Sequence, residues 1–335
     1  MRDAPRVLFV IPGVATGHSM VFARRQAEAL TLQGFQVETF DLRSRTSPRV
    51  LCAEFRRFRR VARTFRPQLI HAQYGTMTAL FAALGAGKIP LVITYRGSDL
   101  NRLPSARGLR PRVGRLLSQI AALRAARIVC VSRGLKRRLW WRQADVTVLP
   151  SGVDPEVFRP APGKALREEL GWREEERVVL FNAGHDPHNK RLDLAQRALE
   201  KARLWTCSVR LEVLDGSVDA ARVPAMMNAA DCLLVTSDAE GSPTIVQEAL
   251  ATNLPVVSVD AGDIAERLEG VAFSCVARRD PHELGRALAE VLNPPRRSDG
   301  RKRAQAFFST RIAQQLGQLY REVMQDRGSV QEHRN

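Results

Sequence analysis

Short apolar and β-branched runs alternate with amphipathic stretches from one end of this chain to the other, and that alternation restricts its fold more than any other feature. The runs lie at 6–11, 36–41, 68–72, 91–95, 127–131 and 146–149, and again at 178–182, 209–214, 232–235 and 256–259. Repetition of strand, helix and strand calls for crossover connections, and therefore for parallel sheets covered by helices. The pattern breaks once, at Pro150-Ser151-Gly152-Val153-Asp154-Pro155 followed by Phe158-Arg159-Pro160-Ala161-Pro162-Gly163. No helix or strand crosses so many turn residues. The expectation is an α/β chain of two doubly wound, Rossmann-like domains, residues 1–155 and 156–300, followed by a last helical stretch at 301–326. A length of 335 residues, 44% hydrophobic, suffices for two cores. Ligands of such folds bind at the carboxyl ends of the strands, in this case in a cleft between the two halves.

Charge divides the chain unevenly. Residues 1–160 hold 28 Lys/Arg against 9 Asp/Glu, a net +19, and the remainder carries −2. One domain is thus suited to a polyanionic partner, nucleic acid or an anionic membrane, although solvated arginine-rich faces produce the same asymmetry. The segment 51–66 repeats apolar residues at 51, 55, 58, 62 and 65 with arginine elsewhere. Its phenylalanines are expected to pack on the sheet, leaving arginines 56–66, with Arg110, Arg112 and Arg115, for anionic lipid or a lipid-phosphate acceptor. No apolar run reaches the length of a membrane span, and the first ten residues lack a signal-peptide pattern, so a cytoplasmic protein, peripheral at most on the membrane's cytosolic face, is expected. The five cysteines (Cys52, Cys130, Cys207, Cys232, Cys275) show no C-x-x-C spacing, which argues against a disulfide framework or zinc site.

Chemistry concentrates in Asp238-Ala239-Glu240-Gly241-Ser242-Pro243-Thr244-Ile245-Val246-Gln247-Glu248-Ala249-Leu250, directly after the run at 232–235. Gly241, Ser242, Pro243 and Thr244 make a tight strand-to-helix turn whose backbone N–H groups form an anion site. Glu240 and Glu248 flank it, and carboxylates accept hydrogen bonds from sugar hydroxyls. In this context the E-x7-E spacing resembles that of the retaining glycosyltransferases of family 4. Met227-Asn228-Ala229-Ala230-Asp231, Asn253-Leu254-Pro255-Val256-Val257-Ser258 and Gly262-Asp263-Ile264-Ala265-Glu266 extend the likeness, which is nearest to the bacterial polysaccharide branch that includes teichuronic-acid-biosynthesis enzymes. The resemblance implies a GT-B fold, a final helix returning to the first domain, and transfer of a hexose-type sugar from a UDP- or GDP-linked donor to a glycan or lipid-linked acceptor in cell-surface polysaccharide synthesis. It also implies that Glu248 holds the donor ribose, that Glu240 touches the transferred sugar, and that attack comes from the front face with no cofactor and no metal.

The loop Gly184-His185-Asp186-Pro187-His188-Asn189-Lys190-Arg191 also lies between a strand and a helix. The family carries an arginine here and, five residues later, a lysine, both neutralising the donor pyrophosphate. Lys190 fits the lysine, whereas the arginine position falls on His185, so His185, Arg191 or a more distant arginine supplies the second charge. In the first half, Pro12-Gly13-Val14-Ala15-Thr16-Gly17-His18-Ser19 opens a helix after the first strand. Its glycine spacing is wrong for a dinucleotide fingerprint. By resemblance Gly13, Gly17 and His18 meet acceptor and donor phosphate. Tyr74, Arg96 and Asp99 stand at two further strand ends, where polar side chains are expected to contact a ligand rather than pack. Family members often carry histidine at the Arg96 position, so no histidine role transfers there. His71 reads as a hydrogen-bonded structural histidine.

Two other readings compete. A nucleotide-sugar 2-epimerase shares the fold and would need acid and base groups facing the sugar. A nucleic-acid-binding protein would suit the pI of about 10.9, but aromatic residues make up only 6% of the chain and no binding motif is present, which favours no nucleic acid.

Overall fold

The structure, a computed structural model, describes residues 4–14, 20–102, 108–184, 186–206 and 208–332, with side chains through Asp326. It divides into two compact units. The first holds the described residues up to Gly152 and those from Ser309 onward, and the second holds Val153–Phe308.

Six parallel strands form the sheet of the first unit: β1 (Arg6–Pro12), β2 (Gln36–Leu42), β3 (Leu69–Ala72), β4 (Leu91–Tyr95), β5 (Arg127–Cys130) and β6 (Val146–Val148), in the order β2-β1-β3-β4-β5-β6. Because side chains alternate across a strand, β1 feeds two cores. Leu8 and Val10 join Phe40, Phe58 and Phe81 on one face, while Val7, Phe9 and Ile11 join Leu30, Phe35 and Tyr320 on the other. The second of these cores is completed by helix Ser309–Glu332 through Leu316, Leu319, Tyr320 and Val323, all buried.

The sheet of the second unit contains β7 (Arg177–Asn182), β8 (Val209–Leu214), β9 (Cys232–Val235), β10 (Val256–Val259) and β11 (Cys275–Ala277), all parallel, in the order β11-β10-β9-β7-β8. Here too the chain reverses direction across the sheet once, with β8 on one side of β7 and β9 on the other. The corresponding point in the first unit is between β1 and β3. Such switch points open a crevice at the carboxyl edge.

The stretch 301–326 is not one helix. A short helix, Gly300–Ala304, and a single turn, Gln305–Phe307, precede Phe308, whose extended backbone (φ −60°, ψ 141°) interrupts the chain before helix Ser309–Glu332. Gly300 explains why the short helix stays with the second unit: a Cβ there would lie 3.0 Å from Leu250 Cα, so only glycine lets the two backbones approach. Arg301 fastens the same segment by donating to the carbonyls of Pro155, Phe158 and Ala251.

Candidate active site

At the carboxyl edge of the second sheet, the segments following β7 and β9 meet at the switch point. Asp186 caps helix Pro187–Lys190 by accepting from Asn189 N–H (3.0 Å), and Pro187 occupies its first turn. The loop after β9 is tied to this helix. Asn189 Nδ2 donates to Ala239 O (3.0 Å), Asp238 N–H donates to Asn189 O (2.8 Å), and Thr236 Oγ1 donates to Lys190 O (2.8 Å). These bonds set the position of two side chains 50 residues apart in sequence: Lys190 Nζ lies 2.5 Å from Glu240 Oε1, with both groups mostly shielded from water.

Glu240 begins the turn into helix Thr244–Ala251, which has Pro243 at its N-cap and no side-chain cap. Gly262, at φ +66°, presses against this turn; a Cβ there would lie 2.9 Å from Gly241 O and 3.0 Å from Glu240 Cβ. The turn is therefore braced from behind by backbone. Ser242 does not present its hydroxyl to a ligand. It is buried and receives bonds from Gln247 Nε2 (3.1 Å) and Arg267 NH2 (2.9 Å), and Arg267 is also paired with Asp263 at 2.6 Å. Burial raises the Asp263 carboxyl above its ordinary pKa, while Arg267 opposes that rise. Gly241 and Thr244 line the same turn, and Glu248 lies on the helix beyond it, partly exposed.

Arg191 is engaged differently from the cation the sequence suggested. Its guanidinium pairs with Asp193 (2.9 Å) and Asp238 (3.2 Å), and those hydrogen bonds, with Asp193 first, raise its pKa. Arg279 shares Asp238 at 3.0 Å. Arg191 thus reinforces the loop. His185 lies outside the described residues, as do Gly17 and His18.

The carboxyl edge of the first sheet gathers Gly13, Tyr74, Arg96 and Asp99. Gly13, at φ +119°, donates its N–H to Leu42 O (3.0 Å). Tyr74 Oη lies 2.6 Å from Ser98 Oγ, and burial pushes its pKa up to about 12. Asp99 is fully buried and accepts from the N–H groups of Gly75 (3.0 Å), Arg96 (3.0 Å) and Gly97 (2.8 Å). It clamps the loops after β3 and β4 together instead of facing a ligand. Burial raises its pKa, against the lowering effect of those bonds.

Arg96 is held by neutral groups. Its Nε donates to Gln73 O (2.9 Å), NH1 to Ser151 Oγ (2.9 Å), and NH2 to the side-chain oxygens of Gln73 and Gln26, while the guanidinium lies 4.3 Å from the centre of the Phe22 ring. Burial lowers its pKa to about 9, with Asp99 opposing. Beneath it, His71 is fully buried, with Nε2 2.7 Å from Thr94 Oγ1 and Nδ1 against the Tyr320 hydroxyl; burial, then Arg96, holds its pKa well below 6.5. Nothing in the sequence pattern signals the Tyr320 contact, since the two residues are 249 positions apart.

Among the described residues no group of three or more His, Cys, Asp or Glu side chains is arranged to hold a metal, and no helix is long and apolar enough to cross a membrane.

Comparison with known proteins gives two family matches: Glycosyltransferase Family 4 over residues 12–157 and Glycosyl transferases group 1 over residues 164–294. A teichuronic acid biosynthesis glycosyltransferase of Bacillus subtilis, TuaC, is 26% identical over 222 residues, covering 61% of this chain and 56% of that protein. The D-inositol 3-phosphate glycosyltransferase of Thermobispora bispora is 25% identical over 373 residues, covering 97% of this chain and 84% of its own length. Among solved structures, Anabaena HepE in complex with UDP and glucose superimposes with a TM-score of 0.75 at 17% identity, over 95% of this chain and all of that one. At that identity the likeness establishes a shared GT-B fold.

Proposed function

This chain belongs to the family 4 and group 1 glycosyltransferases, and from that premise we propose that it transfers a hexose-type sugar, with retention of configuration, from a nucleotide-sugar donor to a glycan or lipid-linked acceptor. The observation that carries this reading is the contact of Lys190 with Glu240 beside the start of helix Thr244–Ala251. Three groups suited to a nucleotide sugar converge there: a cation for the pyrophosphate, uncapped helical N–H groups for the same charge, and a carboxylate for sugar hydroxyls.

In this reading Lys190 exchanges Glu240 for the donor pyrophosphate when the donor binds. Glu240 is then released to the transferred sugar, and Glu248 accepts from the ribose hydroxyls. As the glycosidic bond to phosphate breaks, negative charge grows on the departing oxygen. Lys190 and the helix terminus stabilise that charge in a shielded site, where electrostatic effects are largest. The leaving phosphate takes the proton of the attacking hydroxyl on the same face, so no protein base is required. UDP is the favoured nucleotide, because the structural neighbour HepE holds UDP and glucose.

The acceptor is assigned to the carboxyl edge of the first sheet, at Gly13, Tyr74 and Arg96. Since the side-chain hydrogen bonds of Arg96 among the described residues go to neutral oxygens, with the Asp99 carboxyl acting on it electrostatically, it suits an acceptor bearing a carboxylate or phosphate. Thermal shift against UDP-, GDP- and ADP-sugars tests the donor assignment. A ligand at 100 times its dissociation constant adds about 2.7 kcal/mol of stability, a readily measured change.

A further inference from the structure

Helix Leu109–Arg124 is built inside out. The face turned into the first unit is small and polar: Ser118, Gln119, Ala121 and Ala122 are buried, and Gly114 packs against Thr76. Polar bonds fix that orientation. Ser118 Oγ accepts from Thr76 N–H (2.7 Å) and donates to Asp99 O (2.9 Å), while Tyr95 Oη donates to Ser118 O (2.6 Å). The large apolar residues consequently face solvent, with Leu109 74% and Leu123 58% exposed and Val113, Leu116 and Ile120 exposed between them. Positions 109, 113, 116, 120 and 123 follow the helical repeat and make one continuous stripe. A contiguous apolar stripe on a protein surface marks an interaction site.

The surroundings indicate its partner. Gln119, buried beside the stripe, clamps the 138–141 segment to the helix: its Nε2 donates to Arg138 O (3.0 Å), its Oε1 accepts from Trp140 N–H (3.0 Å), and its carbonyl accepts from Trp141 Nε1 (2.9 Å). Trp140 is thereby displayed next to the stripe, 63% exposed. By helical position Arg112 and Arg124 border the stripe on its two sides. Arg102 and Arg112 lie close enough to Arg115 to depress its pKa, after desolvation, which marks a cluster of positive charge. A second copy of this chain would bring that cluster against its own image, an unfavourable juxtaposition. An anionic lipid surface satisfies the apolar stripe, the exposed tryptophan and the arginines together.

We propose that helix Leu109–Arg124 rests in the interface of an anionic membrane, its stripe from Leu109 to Leu123 among the acyl chains and its flanking arginines and Trp140 at the headgroups. The contact differs from the arginine helix Pro48–Phe65, where Arg57 is turned inward onto Glu54 at 2.6 Å and lies over the Phe40 ring at 3.8 Å.

The test is co-sedimentation of the full chain with phosphatidylcholine vesicles with and without phosphatidylglycerol. Wild type should partition onto the anionic vesicles. The triple variant Leu116→Gln, Ile120→Gln, Leu123→Gln should lose on the order of tenfold or more of that partitioning. Arg112→Gln with Arg115→Gln should weaken binding to anionic vesicles alone, and do so most at low salt. The pair Arg59→Gln, Arg60→Gln on the other helix should change it less than either. A blue shift of tryptophan emission with vesicles, lost in Trp140→Phe, places the helix in the interface. Equal partitioning of wild type and triple variant, absence of wild-type partitioning, or a larger loss in the Arg59/Arg60 variant would each overturn the proposal. So would a wild-type dimer that the triple variant converts to monomer. Melting temperature and donor-induced thermal shift, measured without vesicles, confirm that the variants are folded; failure of sugar transfer would be visible separately from failure of membrane binding.

Discussion

Lys190 and Glu240 form an ion pair of 2.5 Å across the switch point of the second sheet, each delivered by the segment following a different strand. In the family reading each has its own task, one toward phosphate and one toward sugar. On the proposed reading, a donor entering the site separates the pair and engages both groups.

Lys190→Ala should therefore lower turnover on the order of 100-fold, the effect of deleting one group aimed at a developing oxyanion. Glu240→Gln should lower turnover about tenfold or more while donor affinity stays equal or improves, because Lys190 loses its internal competitor. Steady-state kinetics with calorimetric donor titration measures both. A Glu240→Gln protein with weakened donor binding and unchanged turnover would reverse the assignment.

Glu248→Ala should separate from Glu240→Gln in the opposite way. A ribose contact is made equally in ground and transition states, so its loss raises KM for the donor and leaves kcat nearly unchanged. Kinetics unchanged from wild type in both variants would show that neither carboxylate touches the donor.

Arg96→Gln should reduce discrimination between an acceptor with a carboxylate or phosphate and its neutral counterpart, on the order of 30-fold for a charge-assisted hydrogen bond. Inositol 3-phosphate against inositol, and a uronate-terminated against a neutral glycan, are suitable pairs. Donor affinity should not move. An unaltered preference would remove Arg96 from acceptor recognition.

Stability should depend on pH through His71. Burial, then Arg96, holds its folded pKa well below 6.5, and its neighbours Thr94, Gln73 and Tyr320 hold the neutral ring. Between the folded value and about 6.5 the unfolded chain binds more protons, so this contribution is complete above about pH 6.5 and is lost as pH falls, by at most about 1.4 kcal/mol per pH unit. Asp99, whose carboxyl is raised by burial, acts in the opposite sense at lower pH. Urea unfolding from pH 7 to pH 5 should show a steeper loss in wild type than in His71→Gln. Tyr320→Phe should cost about 1 kcal/mol or more at pH 7 by removing a buried partner.

Much of the fold was legible because buried parallel strands are continuous apolar runs, and those at 6–11, 91–95 and 232–235 coincide closely with β1, β4 and β9. Strand β11, three partly exposed residues from Cys275 to Ala277, carries too little pattern to announce itself. The sequence pattern places the start of the last helix near 301 rather than at Ser309, because Phe308, where the chain extends, is an ordinary helical residue by composition. In the site, Lys190 and Glu240 were each marked by their loops, but nothing in either loop encodes their pairing. Asp99 is expected to face a ligand because polar residues at strand ends usually do, but its carboxylate turns inward to tie two loops together; the Ser242 hydroxyl, in a turn whose expected role rests on backbone N–H groups, is likewise engaged internally. The stripe from Leu109 to Leu123 carries the same lesson, since helical spacing reveals an apolar face but not the direction it points. Here the direction was decided by Gly114 and Ser118, whose small side chains permit close packing on the other side.

The central claim, sugar transfer through the Lys190–Glu240 site, is tested most directly by nucleoside diphosphate release from a panel of UDP-, GDP- and ADP-sugars, comparing wild type with Lys190→Ala. Wild type should release the diphosphate from one donor class, faster with acceptor present, and Lys190→Ala should reduce that rate on the order of 100-fold with the fold intact. Release at the same rate by both proteins, or release from none of the donors by wild type supplied with neutral and anionic acceptors, would contradict it.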